Sequence, residues 1–504
     1  MRNKHLLTIG FAAVVAAVVF ACQAKTLSPE QTATQKKPNI IYILADDLGY
    51  NEVGVYGQTK IRTPNIDTLA RNGIRFTQHY SGNPVCAPAR STFVEGKSTA
   101  RSTVRGNYSI GGWDEELGQF PLPSGTRTIG SMLQEQGYKT AVIGKWGLGG
   151  PGSTGQPNDQ GFDHFFGYLD QKYAHNYYPT HLWRNKSAVI LRNKWIEDHQ
   201  KLEAGLDEKD PRSYEEFTQT DYAPDLMADE AITFIEENKS QPFFLYFPVT
   251  IPHVSLQVPE ESLKEYEGAF PETPYTAREL STWLTYLPHR TPRAAYAAMV
   301  TRMDSYVGRI VAKVEQLGLS EDTLIVFTSD NGPTFNGGSD SAFFESARPF
   351  SGLKGDVREG GIRVPFIASW PGKIEKNGVS DHVSAMWDMM GTFAELSGGK
   401  ANDDSDGVSL VPTLLGQEGQ VPHKSLYWEL GSQQAVRMGN WKGIRKNIKQ
   451  NPKAPIELYD LATDIAEERD VSSEHPHIVE QIRRIMACRE PALIEKWNFE
   501  TLGE

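Results

Sequence analysis

The sequence predicts an α/β fold: a large, mainly parallel sheet sandwiched by helices, followed by a small antiparallel-sheet subdomain. Three observations lead there. Short β-type apolar runs end abruptly in polar residues: 39–45 before Asp46-Asp47, 138–143 before Gly144-Lys145, 243–251 before Pro252-His253, and 323–329 before Asp330-Asn331. Segments of helical period lie between them, such as Met227, Ala231, Phe234, Ile235 and Met303, Val307, Ile310, Val311, Val314, Leu317. Strands alternating with helices give parallel pairing with both faces covered. After about Asp406 the texture changes to short runs at 425–430, 435–438, 441–445 and 456–461, with a Gly439-Asn440 turn, and a helix is expected over 475–487.

Toward the N-terminus, Arg2 and Lys4 precede an apolar run over residues 6–21 that is short for a membrane span and ends at Ala21-Cys22. Residues 1–22 therefore read as a secretory signal. Val19-Phe20-Ala21-Cys22 resembles the lipobox of bacterial lipoproteins, apart from Phe20. That implies lipidation at Cys22 and a place in the periplasm or at the outer membrane; ordinary cleavage near Ala24 is the alternative. Residues 23–37 are polar, with no apolar period, and suit a flexible tether. The main domain is expected over 38–405 and a C-terminal subdomain over 406–504.

At 504 residues, 39% hydrophobic and 23% charged, the composition is globular and excludes disordered and fibrous classes. The net charge is −12, and loss of Arg2 and Lys4 with the signal leaves 49 basic against 63 acidic residues, −14. Such a surface repels nucleic acid, and an anionic substrate needs a local basic pocket. Cys22, Cys86 and Cys488 are the three cysteines, too few for a disulfide framework. Cys488, just after a helical run, is expected to be a buried structural thiol.

In open α/β sheets, ligands bind beyond the carboxyl ends of the strands, where the acidic, basic and imidazole groups of this sequence all fall. Asp46-Asp47 and Asp330-Asn331 offer four hard oxygen ligands and no thiolate, which suits Ca²⁺ or Mg²⁺ rather than zinc. Taken singly, each pair is more often a turn or a helix cap; two pairs at strand ends point to a metal. Pro88 fits the first turn of a helix that runs to about Glu95 and ends at Gly96, so Cys86 falls at a helix N-terminus. There the helix dipole, with Arg90 one turn on, favours a thiolate or an oxyanion.

Cys86-Ala87-Pro88-Ala89-Arg90-Ser91, through Gly96, resembles the cysteine-type sulfatase signature, and Gly137-Tyr138-Lys139-Thr140-Ala141-Val142-Ile143-Gly144-Lys145-Trp146 is similar to the second signature of that family. Further matches are residues 38–49, Thr63-Pro64-Asn65-Ile66-Asp67, residues 328–332, Gly352-Leu353-Lys354-Gly355, residues 359–365 and Leu458-Tyr459-Asp460-Leu461. The resemblance implies an alkaline-phosphatase-like core over 38–405 as the catalytic domain. It implies a formylglycine (3-oxoalanine) made from Cys86 by a maturation enzyme, and Ca²⁺, in preference to Mg²⁺, held by Asp46, Asp47, Asp330, Asn331 and the modified Cys86. It also implies catalytic roles for Arg90, Lys145, His253 and Lys354. In that chemistry the metal and the two lysines neutralise sulfate oxygens while a hydrated formylglycine attacks sulfur, and His253 or Lys354 protonates the leaving alcohol.

One position departs from the pattern. Many relatives carry a histidine after the Gly-Lys-Trp triplet, in contact with the formylglycine hydroxyl, and this sequence has Gly147. The group that assists sulfate expulsion is therefore left open. Specificity is expected in loops: the run Asp170 to Pro179, Asp-Gln-Lys-Tyr-Ala-His-Asn-Tyr-Tyr-Pro, offers aromatic platforms and polar tips, His175 among them, for a sugar, or else packs on the core. Arg358 is a second candidate substrate contact. The expected activity is removal of sulfate from a sulfated oligo- or polysaccharide by an exported, lipid-anchored enzyme. The alternatives are a formylglycine-dependent phosphonate or phosphate ester hydrolase, and a glycan-binding lipoprotein with impaired catalysis.

Overall fold

A computed structural model describes residues 36–108, 119–280 and 285–499. The signal, the lipidation candidate Cys22 and nearly all of the tether lie outside the described residues. The described residues from Lys37 onward form one compact unit.

The strands in chain order are β1 (Asn39–Ala45), β2 (Ile74–Phe76), β3 (His79–Tyr80), β4 (Lys139–Lys145), β5 (His164–Tyr168), β6 (His181–Arg184), β7 (Ser187–Ile190) and β8 (Phe243–Pro248). They continue with β9 (Thr323–Ser329), β10 (Phe366–Ser369), β11 (Gly378–Ser380), β12 (Ser384–Ala385), β13 (Leu426–Leu430), β14 (Gln433–Met438), β15 (Trp441–Lys446) and β16 (Glu457–Asp460). Ten of them form one sheet in the order β11-β2-β10-β9-β1-β8-β4-β5-β6-β7. The central strands β9, β1, β8, β4 and β5 are parallel, whereas β10 and the β6–β7 hairpin pair antiparallel. The four apolar runs expected as strands are thus all central ones.

Period-two alternation sends successive side chains of these strands to opposite faces. Ile41, Ile43, Leu245, Phe247, Ile325 and Phe327 join one apolar layer under the helices Ala223–Glu237 and Pro292–Gln316. Ile40, Tyr42, Phe244, Tyr246, Leu324 and Val326 join the other, with the helices Cys86–Glu95, Ile129–Glu135 and Asp388–Ser397. Burial on both faces is why these runs read as continuous rather than alternating apolar segments.

The strands β13 to β16 make a four-stranded antiparallel sheet, as expected from the texture after Asp406. One face carries Val436, Ile456 and Leu458 against Ile482 and Met486 of the helix Pro476–Ala487. The other places Trp428, Ala435 and Ile444 against Tyr80, Val357, Ile362 and Trp387. Beneath that face lies a buried ion network: Lys442 Nζ bonds Glu359 Oε1 at 2.8 Å and lies 3.1 Å from Glu467 Oε1, and Arg363 reaches Glu359 Oε2 at 3.1 Å. Cys488 corrects the sequence expectation. It is exposed, because it lies just beyond the helix end, past the Ile482 and Met486 positions that face the sheet.

Candidate active site

The parallel strands deliver the charged groups to one place. The β1–β9 pairing runs one step past the strands, with Asp330 N–H donating to Ala45 O at 3.0 Å. Asp47, at φ 69°, then turns in the left-handed region, and its N–H donates to Asp330 Oδ1 at 3.1 Å. Ser329 Oγ accepts from Leu48 N–H at 2.9 Å, which closes the turn.

The helix Cys86–Glu95 begins at Cys86 and ends in Gly96 at φ 69°. The thiol Sγ lies 3.3 Å from Asp46 Oδ1 and 3.8 Å from Asp47 Oδ1. Ala87 N–H, one of the free donors of the first turn, is taken by Asn107 Oδ1 at 3.0 Å. The expectation that the dipole favours a thiolate is corrected. Burial and the Asp46 carboxylate push the Cys86 thiol well up, so the unmodified side chain is a neutral, poor nucleophile.

Three cations neutralise the carboxylates. Arg90, fully buried, donates from Nη2 to Asp330 Oδ2 at 2.8 Å and from Nε at 3.1 Å, lies 3.3 Å from Asp46 Oδ2, and also bonds the Lys145 carbonyl. Lys145 Nζ donates to Asp46 Oδ2 at 2.7 Å, and Lys354 Nζ to Asp47 Oδ2 at 2.8 Å. Burial alone would raise Asp46, but Lys145 and Arg90 outweigh it and hold this carboxyl below the usual range. Asp330 goes the other way, pushed up to about 7 by burial and by the neighbouring Asp46 charge. The Lys354 loop is fastened to the nucleophile loop by Gly355 N–H, which donates to Pro84 O at 2.9 Å.

His253 sits 3.6 Å from Asp47 Oδ2 through Nε2, while Nδ1–H is placed to donate to the Val254 carbonyl. Burial and Lys354 hold it down at about 4, neutral at physiological pH. His175 stacks on His253 with ring centroids 4.6 Å apart and an interplanar angle of 9°, and pairs with His199 at 3.1 Å. His175 thus stands beside the cluster. Tyr177 and Tyr178 of the same loop are core residues, so they are not sugar platforms; the Tyr177 hydroxyl donates to the Thr250 and His253 carbonyls at 2.6 Å and fixes the imidazole's backbone. Arg358 is engaged within its own loop, donating from Nε and Nη2 to Asp356 Oδ2 at 2.8 and 2.6 Å.

The residues fit a divalent cation. Single donor atoms of Asp46, Asp47, Cys86 and His253 lie within 4.8 Å of one another. Asn331 Oδ1 is buried with no hydrogen-bond partner among the described residues, as a ligand oxygen awaiting a cation would be. Carboxylate and amide oxygens dominate the set.

A sulfatase family model matches residues 38–399. The chain belongs to the sulfatase family. This sulfatase also matches, over residues 354–490, the C-terminal region of N-sulphoglucosamine sulphohydrolase. It is 31% identical to human arylsulfatase A over 91% of its own length and 88% of that protein. It is 29% identical to rat N-acetylgalactosamine-6-sulfatase over 80% of this chain and 71% of the relative. The crystal structure of Ps i-CgsB in complex with k-i-k-neocarrahexaose superposes with a TM-score of 0.72 at 27% identity, covering 92% of this chain and 96% of that one. The chain is accordingly a sulfuric ester hydrolase.

Two residues near the site had no assigned role in the sequence reading. Tyr286, packed against His175 and His199 at 5.3 and 5.1 Å, lies in a loop without a local signal. Gln171 lies within the aromatic run, but its position depends on Gly147, which no local pattern shows.

Proposed function

We propose that this sulfatase removes sulfate from a sulfated carbohydrate, with a galactose-type sugar of a host glycan or algal polysaccharide as the substrate class. The observation that carries the reading is the Cys86 side chain set between two metal-competent carboxylates and flanked by Lys145, Lys354 and Arg90. The names of the rat relative and of the neocarrahexaose complex support the sugar. Asp46, Asp47, Asp330, Asn331 and the modified Cys86 would hold Ca²⁺. When bound, the cation neutralises sulfate oxygens, and formylglycine supplies a hydroxyl for attack at sulfur and an aldehyde to return to.

The chain's own residues do the rest. Lys145 and Lys354 are fixed positive charges in a water-poor site, where they offset the negative charge of a bound sulfate group. Arg90 clamps Asp46 and Asp330 so that both carboxylates stay aimed inward. Of the two groups expected to protonate the leaving alcohol, Lys354 is the one that carries a proton at neutral pH, on Nζ, since Asp47 outweighs burial and raises it well above the ordinary lysine value. His253, held near 4 with Nε2 bare, is an acceptor there and orients rather than donates.

Maturation by a formylglycine-generating enzyme, export and anchoring through a lipid on Cys22 complete the reading. The direct test is release of inorganic sulfate from a panel of sulfated mono- and oligosaccharides, with aryl phosphate and aryl phosphonate alongside. Sulfate release from at least one sugar is expected, and a phosphate or phosphonate preference of several orders of magnitude overturns the assignment.

A further inference from the structure

Gln171 lies just past the carboxyl end of the β4–β5 pair, the end at which Lys145 meets Asp46. The pairing continues beyond the strands, with Trp146 N–H donating to Tyr168 O at 2.9 Å and Gly147 N–H to Leu169 O at 3.1 Å. Gln171 occupies the room left by the glycine: a Cβ on residue 147 would come within 1.7 Å of its Nε2 and 2.6 Å of its Cδ. The flanking backbone is tied down, since Asp170 Oδ1 accepts from the N–H groups of Lys172 and Tyr173 at 2.7 and 2.9 Å. The side chain is only 2% exposed. Neither Nε2 nor Oε1 has a hydrogen-bond partner among the described residues.

A buried amide with both ends unpaired is costly, and it persists where something outside the chain pairs it. The partner must both accept and donate. A sulfate oxygen accepts only, whereas neighbouring sugar hydroxyls present an acceptor and a donor side by side, matched to a planar amide. We propose that Gln171 is a substrate-contacting residue that reads hydroxyls of the sugar bearing the sulfate ester, with Nε2–H donating to one oxygen and Oε1 accepting from its neighbour. This rests on the carbohydrate reading above.

Gln171→Leu removes both polar atoms at similar volume. Its kinetics are to be compared with wild type on 4-nitrophenyl sulfate, which has no sugar hydroxyl, and on the sulfated sugar that wild type hydrolyses best, together with thermal melts. The loss of kcat/KM on the sugar is expected to exceed that on 4-nitrophenyl sulfate by at least tenfold, with a melting temperature equal to or above wild type. Equal losses on both probes overturn the proposal, as does no loss on either, which would leave the amide holding only a water. A lowered melting temperature with parallel losses also overturns it, as a packing role would produce that. If wild type hydrolyses 4-nitrophenyl sulfate and none of the sulfated sugars, the carbohydrate reading fails and this inference with it; sugar turnover with matched losses fails this inference alone.

Discussion

A methyl group on residue 147 would have nowhere to go. Gly147 has φ 75°, in the left-handed region, and the Gln171 amide stands where its Cβ would be. Gly147→Ala should therefore combine backbone strain with overpacking and destabilise by about 2–4 kcal/mol. Gln171→Ala in the same chain should recover the overpacking share and leave the strain, so denaturant unfolding of the two single variants and the double should show a coupling of about 1–3 kcal/mol. Additive effects would show that the side chains do not compete. The glycine is plain in the sequence as a departure from the family pattern. What fills its place is not, because the contact joins two strand ends whose adjacency only the fold creates. The same holds for Arg358: its type suggests an anion partner, and the structure supplies one two residues away, in Asp356.

At the scale of elements, the strand-end loops carry the chemistry, and their support is partly remote. The loop bearing Lys354 continues into Glu359, which is buried against Lys442 of β15 and held by it and Arg363 at about 2. Lys442→Met should leave Glu359 and Glu467 buried without their shared cation and cost on the order of 3–5 kcal/mol. Hydrogen exchange over residues 351–363 should rise, and kcat/KM should fall although Lys442 lies outside the site; unchanged exchange would separate β15 from the loop. Four of the five central strands were legible as apolar runs with abrupt polar ends, since burial on both faces demands such runs. The strands β2, β10 and β11 were not, because each is three or four residues long and is defined by pairing with distant segments.

His79 on β3 makes an element-level pH prediction. Burial lowers it from the usual 6.5 to about 3, so the folded chain holds it neutral, with Nδ1 on Ser384 Oγ at 2.9 Å. A depressed histidine contributes stability that is present above the unfolded value of about 6.5 and is lost as pH falls from there toward 3, because the unfolded chain takes up a proton that the folded chain refuses. Between pH 7 and pH 5 this amounts to about 2 kcal/mol. His79→Asn should flatten the melting-temperature profile over that range; an unaltered slope would mean that His79 is protonated in the folded chain.

For the whole molecule, the charge arrangement states the design most simply. A chain of net charge −12 gathers Arg90, Lys145 and Lys354 around three buried carboxylates, a site in which basic and acidic groups are matched three to three and which gains positive charge when a cation arrives. Since a ligand that binds only the folded state stabilises it by mass action, Ca²⁺ at about 100 times its Kd should add about 2.7 kcal/mol. Chelation should lower the melting temperature and activity together, with Ca²⁺ restoring both better than Mg²⁺; indifference to chelator would remove the metal from the account. The architecture was readable because strand ends, helix caps and hydrophobic periods are local signals, and the nucleophile because its flanking motif is local too. The protonation of the Cys86 thiol is not legible there, since the helix dipole and Arg90 argue for a thiolate while burial and Asp46, which only the assembled site brings together, push the thiol up. The central claim is that Cys86 does not act as a thiol. Peptide mass spectrometry of the protein coexpressed with a formylglycine-generating enzyme tests it most directly. The account predicts 3-oxoalanine at residue 86, with sulfate release rising in proportion to its occupancy and absent from Cys86→Ala; full activity with an unmodified cysteine at that position would contradict it.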